Sequence, residues 1–361
     1  MEHIKNIEIK NFKSIRHAEI KDCRRINVFI GYPNVGKSNI LEALGLFNIN
    51  APTKNFSSFV RMENLTTLFF DGNIDQNSEI RINFNHRYII SINGDHLHLE
   101  RQYTKDSERF DQEESRRSTW DGPLQVPIEI LTSFDVKELG KAIQNFKGKT
   151  AIEMRLGDIL TDVKKYEFKK SVDIVQGTYN DLITPYGDNI FDVLSSNEKL
   201  RKEISDLFKP YDLRFSFDKG TRTFKILKNV GEDIFLMHYS MIADTLMRLI
   251  FYKTAILSNK ENVLIFEEPE AHMFPPYISK FTKDVILNED ENQFFIATHS
   301  PYVLNDFMEE LKDDELAIYL VSYKKESGET SIDKMTKEEM HEAYQFGYDF
   351  FLNMENFIPA N

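Results

Sequence analysis

The sequence predicts an α/β fold built on a parallel sheet, and three observations carry that prediction. A strand pattern, "RRINVFI", runs through a glycine-bounded loop directly into an amphipathic helix pattern, "NILEALGLF". Two later runs, "NVLIF" and "QFFIAT", are continuously apolar, as expected of strands buried on both faces of a parallel sheet. From "MHYSMIADTLMRLIFYKTAILSN" onward the chain reads helix, strand, helix, strand, helix.

The elements follow in order. "HIKNIEIKNF" sets Ile4, Ile7 and Ile9 among polar residues, the pattern of a half-buried strand. After the glycine-bounded loop, Ile40, Leu41, Leu44 and Phe47 share one side of a helix. "EIRINF", "RYIISI" and "HLHLERQY" are further strands, with Asn-Gly turn chemistry between the last two. In the middle, Leu200, Ile204, Leu207 and Phe208 line a helix that stops before Pro210. "DLRFSFDKGTRTFKI" predicts a hairpin turning at Asp218, Lys219 and Gly220, and "DDELAIYLVSYKKESGETSIDKM" a final strand pair. One domain, 1–361, accommodates all of this: an N-lobe with an antiparallel β subdomain over 1–105, a helix-and-hairpin region over 106–230 and a C-lobe over 231–361.

Bulk composition narrows the classes. The chain has 361 residues, 41% of them apolar, which is enough for a sizeable core. No apolar run reaches the length of a membrane span, and "MEHIKNIEIKNF" lacks the apolar stretch of a secretory signal. Cys23 is the single cysteine, so an internal disulfide or a Cys-based zinc module is excluded and a cytoplasmic setting is expected. The net charge of −13 argues against a surface coated for nucleic-acid phosphates. A local basic track remains conceivable between Lys137 and Lys170, through Lys141, Lys147, Lys149, Arg155, Lys164, Lys165, Lys169 and Lys170. Glu138, Glu153, Asp158, Asp162 and Glu167 dilute it, and an ordinary solvated face accounts for it equally well.

Three motifs carry chemistry. "GYPNVGKS", Gly31 to Ser38, satisfies G-x-x-x-x-G-K-[ST] between a strand and a helix, the context of a P-loop. Its glycines let backbone N–H groups face phosphate oxygens, and the helix N-terminus adds positive potential. Lys37 is placed to reach the β- and γ-phosphates of a nucleotide, and Ser38 to offer a hydroxyl to Mg²⁺. Gly31, Asn34, Val35, Gly36, Lys37, Ser38 and Asn39 therefore form the expected nucleotide-binding set. "NVLIF" delivers Glu267 and Glu268 at a strand's carboxyl end, where open α/β sheets bind ligands. Alone, such a pair fits a solvated turn better; beside a P-loop, Glu267 suits the Mg²⁺ shell and Glu268 the activation of water. "FFIATHSPYVL" ends a strand in Thr298, His299 and Ser300, with His299 placed for a γ-phosphate or an attacking water.

In the order P-loop, "LIFEEPEAHMFP", "FFIATHSP", the chain resembles the ABC-type ATPase heads of the RecF, SMC and OLD group, and most of all their small stand-alone bacterial members. "IEIKNFKSI" resembles that group's opening strand, which implies that Lys13 and Ser14 lie near the nucleotide phosphates. "GKSNILEAL" and "GDNIFDVL" match further pieces, although the middle of the chain matches thinly. The resemblance implies a mixed central sheet with flanking helices, ATP and Mg²⁺ as ligands, Glu268 as catalytic glutamate and His299 as switch histidine. It implies an interface loop beginning at Glu270, Ala271 and His272. It also implies a head-to-head homodimer, or a higher oligomer, in which Ser240 of one chain completes the site of the other. Two positions depart from the pattern. Glu267 replaces the usual aspartate, and "YSMIADTLMRL" carries Ile242 where a signature-loop glycine is expected, so the isoleucine is expected to crowd the opposing nucleotide unless Ala243 and Asp244 shift the register.

A zinc hook is excluded by the cysteine count and a coiled-coil arm by the missing heptads, and too little chain follows "FFIATHSP" for a nuclease domain. The resemblance therefore implies a separate effector protein, with DNA repair or phage defence as the setting and DNA as an open ligand. The alternative is a nucleotide-binding sensor or scaffold with negligible turnover, which Ile242 favours and Glu268 and His299 oppose.

Overall fold

The computed structural model describes residues 3–48, 59–93, 96–103, 124–127, 163–172, 175, 177, 179–346, 351 and 353–354. Lys137, Lys141, Lys147, Lys149 and Arg155 of the basic track lie outside these residues.

The chain opens with strands β1 (Ile7–Phe12), β2 (Ile15–Ile20) and β3 (Ile26–Ile30), then helix α1 (Lys37–Gly45). Strands β4 (Ser78–Ile82), β5 (His86–Asn93), β6 (His96–Tyr103) and β7 (Leu124–Pro127) follow, then β8 (Val163–Tyr166). Helices α2 (Ile190–Ser196) and α3 (Glu198–Asp206) precede strands β9 (Leu213–Asp218), β10 (Thr223–Val230) and β11 (Asp233–His238). The last part contains α4 (Asp244–Leu257), β12 (Val263–Glu267), α5 (Pro275–Ile286), β13 (Gln293–Ala297) and α6 (Pro301–Glu310). Strands β14 (Leu316–Lys324) and β15 (Glu329–Lys334) and helix α7 (Lys337–Phe346) complete it.

The central sheet has the order β15-β14-β3-β13-β12-β8, parallel throughout except for the antiparallel edge β15. Its continuously apolar strands divide their side chains between two cores, because alternate residues point to opposite faces. On one face Ile26, Val28, Ile30, Leu264, Phe266, Phe294, Ile296, Ile318 and Leu320 pack with the helices α2 to α6. On the other, Phe29, Val263, Ile265, Phe295, Tyr319 and Val321 pack with α1 and the N-terminal strands. The polar Asn27 of β3 is fully buried on this face, and its amide is satisfied by Arg24 O at 2.7 Å and Phe294 O at 3.1 Å.

The second layer is an antiparallel sheet of order β2-β1-β4-β5-β6-β7, the expected β subdomain. A third, small antiparallel sheet, β11-β10-β9, includes the expected hairpin. Its turn falls one to two residues later than predicted. Asp218 ends β9 and its carboxylate accepts from Gly220 N at 3.0 Å and Thr221 N at 3.2 Å, an Asx-type turn. Among the described residues no helix is long and apolar enough to cross a membrane.

Candidate functional site

Parallel register brings the three motifs to one edge. Glu267 lies opposite Ala297, and Ala297 opposite Phe29, so the segments that follow β12, β13 and β3 leave the sheet side by side. Glu268 N donates to Ala297 O at 2.8 Å and Thr298 N to Phe29 O at 3.2 Å, which fastens the three exits together.

The P-loop has the backbone its glycines suggest. Gly36 has φ 109°, and a Cβ there would fall 2.3 Å from Thr330 Oγ1 and 2.8 Å from Ser14 Oγ. The space that a side chain would fill is occupied by a polar clamp. Thr330 Oγ1 donates to Val35 O at 2.8 Å and lies 2.7 Å from Ser14 Oγ, which accepts from Asn39 Nδ2 at 2.7 Å. The Lys37 ammonium folds back onto the carbonyls of Gly31 and Tyr32, both at 2.8 Å. Burial brings its pKa down to about 8, against the opposing charges of Glu268 and Glu267. An incoming phosphate would therefore replace two carbonyl contacts of a cation that lacks an ionic partner there.

The two adjacent glutamates have different surroundings. Burial pushes the Glu267 carboxyl up. The Lys165 ammonium, a hydrogen bond from Ser38 and the Arg61 guanidinium outweigh it and hold the carboxyl below the usual range. Arg61 donates to Glu267 Oε1 at 2.9 Å and, through Nε, to the fully buried Glu42 at 2.7 Å. Lys13 pairs with the same Glu42 and donates to Arg61 O at 2.5 Å. Glu268 follows at φ 43°, a left-handed backbone that aims its carboxylate away from this network. Among the described residues its one ion pair is with His299 Nε2, at 3.5 Å. Burial and the charge of Lys37 lower the His299 pKa, and Glu268 opposes them.

Behind the histidine sits Glu270. Its Oε1 accepts from Thr298 Oγ1 at 2.5 Å and from His299 N at 3.0 Å, whereas Oε2 is buried without a hydrogen-bond partner. Burial raises its pKa. In the segment that the resemblance makes the start of an interface loop, the Glu270 side chain turns inward to hold the backbone that carries His299, while His272 is exposed at φ 60°.

The fate of the other predicted residues is mixed. Gly31, Asn34, Val35, Gly36, Lys37, Ser38 and Asn39 form one loop and helix start, with Ser14 joined to it through Asn39 and Thr330. Lys13 lies one step removed, on Glu42. Ser240 is exposed on a short turn before α4, bonded to His238. No hydrogen bond or ion pair between the described residues joins it to the P-loop of its own chain. Ile242 corrects an expectation: its side chain is buried in the core beside α4, so it does not crowd the surface. The neighbouring side chain, Met241, is the one exposed there. The described part of the basic track is engaged in local contacts. Lys165 is buried beside Glu267, and Lys164 pairs with Asp181. Lys169 lies 3.4 Å from the Tyr186 ring centre and Lys170 3.8 Å from Asp244. Arg61, Glu42, Lys165 and Thr330 were not anticipated as site residues. An Arg or Lys far from the motifs carries no local signal, because only the folded sheet brings it to Glu267.

Residues 3–234 match the AAA ATPase domain family (AAA_15), which is more than half of the chain. The chain belongs to that family. The matched span of this AAA ATPase domain includes the P-loop and both antiparallel sheets as far as β11, and stops before Glu267, Glu268 and His299. For those residues the fold supplies the context. An SMC head bound to the C-winged helix domain of ScpA superposes with TM-score 0.50 at 15% identity, over 94% of this chain and 100% of that one. An SMC head with an extended coiled coil, bound to the C-terminal domain of ScpA from Pyrococcus furiosus, gives TM-score 0.51 at 13% identity. That likeness covers 96% of this chain and 99% of the other. The AAA ATPase domain thus has the fold of SMC heads. Two Methanocaldococcus jannaschii proteins share shorter stretches. MJECL10 is 41% identical over 59 residues, 16% of this chain and 26% of that protein. MJECL44 is 44% identical over 50 residues, 14% of this chain and 15% of that protein. The chain therefore spans about a quarter or less of these curated relatives.

Proposed function

We propose that the chain binds ATP with Mg²⁺ at this sheet edge and hydrolyses it, working as a head-to-head dimer that drives or gates a separate effector. The observation that carries the reading is the position of Lys37, a buried P-loop cation whose charge is coupled to both strand-end glutamates. Such an arrangement sets phosphates between a cationic loop and two carboxylates with separate surroundings. Ser38 and Glu267 lie beside each other and would hold Mg²⁺, which would neutralise phosphate charge when bound. A cavity of about 600 Å³ beside Lys13, Ser14, Asn39 and Arg61 offers room for the rest of the nucleotide.

Glu268 is the general base in this reading. Its carboxylate is half exposed and bears on His299, so it is free to accept a proton from water. His299 reads the γ-phosphate, and Glu270 fixes its backbone. Ser240 acts across the dimer, on the nucleotide of the second chain, which agrees with its exposure. The ScpA contacts of the two SMC heads support a separate partner protein here, and DNA repair or phage defence is the setting we propose for it. The engaged state of Lys164, Lys165, Lys169 and Lys170 leaves DNA as the weaker of the partner readings.

Steady-state phosphate release by the wild type and by Glu268→Gln tests the assignment, with ATP binding measured in parallel. Loss of a general base is expected to slow release by roughly 10²–10⁴-fold. Equal turnover in both proteins while both bind ATP would remove Glu268 from the chemistry. ATP-dependent sizing of Glu268→Gln tests the dimer, since a trapped sandwich should double in mass.

A further inference from the structure

The strand order β14-β3-β13-β12 gives the nucleotide edge two ends. Glu267, Glu268 and His299 lie at the exits of β12 and β13, on one side of the P-loop strand β3, and β14 and β15 lie on the other. A triphosphate whose reacting end faces Glu268 and His299 therefore points its nucleoside towards β14. The P-loop is seated closely on these two strands. A Cβ at Gly31 would fall 2.2 Å from Val321 O, and Thr330 Oγ1 donates to Val35 O at 2.8 Å.

Alternation along β14 then places one aromatic ring. Tyr319, Val321 and Tyr323 are alternate residues and share the face that packs on α1 and the N-terminal strands. Tyr319 and Val321 are buried there. Tyr323 lies two residues, about 6–7 Å, further along the strand. It pairs with Thr330 in the β14–β15 ladder and is 47% exposed. It lines the cavity that also takes in Ser14 and Asn39. Met62 and Phe70 line the same cavity from the segment after α1. Gly328, also on the cavity, keeps the end of the ring clear, since a Cβ there would meet the Tyr323 hydroxyl at 3.5 Å. A lone exposed tyrosine is ordinary. This one ends a buried apolar row, opens into a cavity and stands at the nucleoside end, as a stacking platform must.

We propose that Tyr323 is that platform, its ring stacking on the base of the bound nucleotide. The proposal rests on the reading of this edge as an ATP site. It adds a group that distinguishes a nucleoside triphosphate from bare polyphosphate, because the P-loop backbone and Lys37 act on phosphates and treat the two alike. A stack on one aromatic face accepts any base, since each has a π-face. Tyr323 thus supplies affinity for a base and not a choice among bases.

Calorimetric titration of the full-length protein in Mg²⁺, with ATP and with inorganic tripolyphosphate, separates the two contributions. Wild type should bind ATP the more tightly. Tyr323→Ala should weaken ATP by roughly 5–100-fold, the worth of one base–aromatic stack, and leave tripolyphosphate within about twofold. Tyr323→Phe keeps the ring and should bind ATP like the wild type. Should Tyr323→Ala lose its thermal unfolding transition, Tyr323→Leu, which keeps apolar bulk without a π-face, carries the same test. ATP binding unmoved by the loss of the ring, an equal fall for both ligands in a folded variant, or a Tyr323→Phe as weak as Tyr323→Ala would each overturn the proposal. Wild type that binds tripolyphosphate as tightly as ATP would also overturn it while leaving the P-loop reading intact. Wild type that binds neither ligand would refute that reading, and the proposal with it.

Discussion

Glu267 and Glu268 are joined by one peptide bond, yet they differ in almost every property that governs a carboxylate. Glu267 is 22% exposed and tied to Arg61, with Lys165 and Ser38 beside it. Glu268 is 50% exposed and meets only His299, at 3.5 Å, in ion pairing. β12 ends at Glu267, which meets Arg61 and Lys165, and Glu268, the first residue past the strand at φ 43°, meets His299 instead. A carboxylate held by several cations is suited to staying ionised and in place. One with a single weak partner is suited to exchanging a proton. Adjacent residues thus acquire separate surroundings, one of them set by an arginine from a distant loop.

The comparison can be broken most forcefully at Glu268. Glu268→Gln should lower phosphate release by roughly 10²–10⁴-fold with ATP still bound, whereas a fall in binding of that size would make Glu268 a binding residue instead. Next in size is Lys37→Ala, which removes the cation between the two acids. Nucleotide affinity, read by equilibrium titration, should weaken roughly 10–100-fold, the worth of a charge-assisted hydrogen bond to phosphate. Glu267→Gln should act through the metal. The gain in ATP affinity on adding Mg²⁺ should shrink by about tenfold or more, while binding in EDTA changes little; equal losses in both buffers would contradict the separation of roles.

Smaller effects sharpen the picture. Thr330→Val keeps the shape but strands Ser14 Oγ and Val35 O, so denaturant unfolding should show a loss of about 1–3 kcal/mol. The mildest prediction concerns pH. The Lys37 pKa in the free site is about 8, and bound phosphate anions would raise it, so binding near that pH takes up protons. Calorimetry in buffers of different ionisation enthalpy should detect less than one proton per site, and affinity should fall as pH climbs through 8. Proton release on binding would have the wrong sign.

Much of this fold was legible in the sequence, for reasons of range. β3, the P-loop and α1 form a contiguous stretch whose apolar period changes from strand to helix across two glycines. β12 and β13 announce themselves as unbroken apolar runs, since both of their faces are buried. β11 was not anticipated, because a strand exposed on both faces and apolar on both lacks the alternation that marks a half-buried one. At the site, the motif residues were found and their supports were not. Arg61, Lys165 and Thr330 reach the nucleotide edge from separate elements, and no local pattern distinguishes them from surface residues. Ile242 shows the converse error. Its position in a motif suggested an outward side chain, and packing against the core turned it in.

The neighbours of β3 have a consequence for how this protein is made. The strand that feeds the P-loop lies between β13 and β14, and Thr330 of β15 closes the loop's far side. Every one of these comes from the last quarter of the chain. During synthesis the P-loop sequence leaves the ribosome early and then has no sheet to join until nearly all the remaining residues have been added. At about 5–20 residues per second that interval is on the order of 15–60 s. The nucleotide site thus exists only once β13, β14 and β15 have been made, and a product truncated before them that retains the whole P-loop motif would still lack a place to hold ATP.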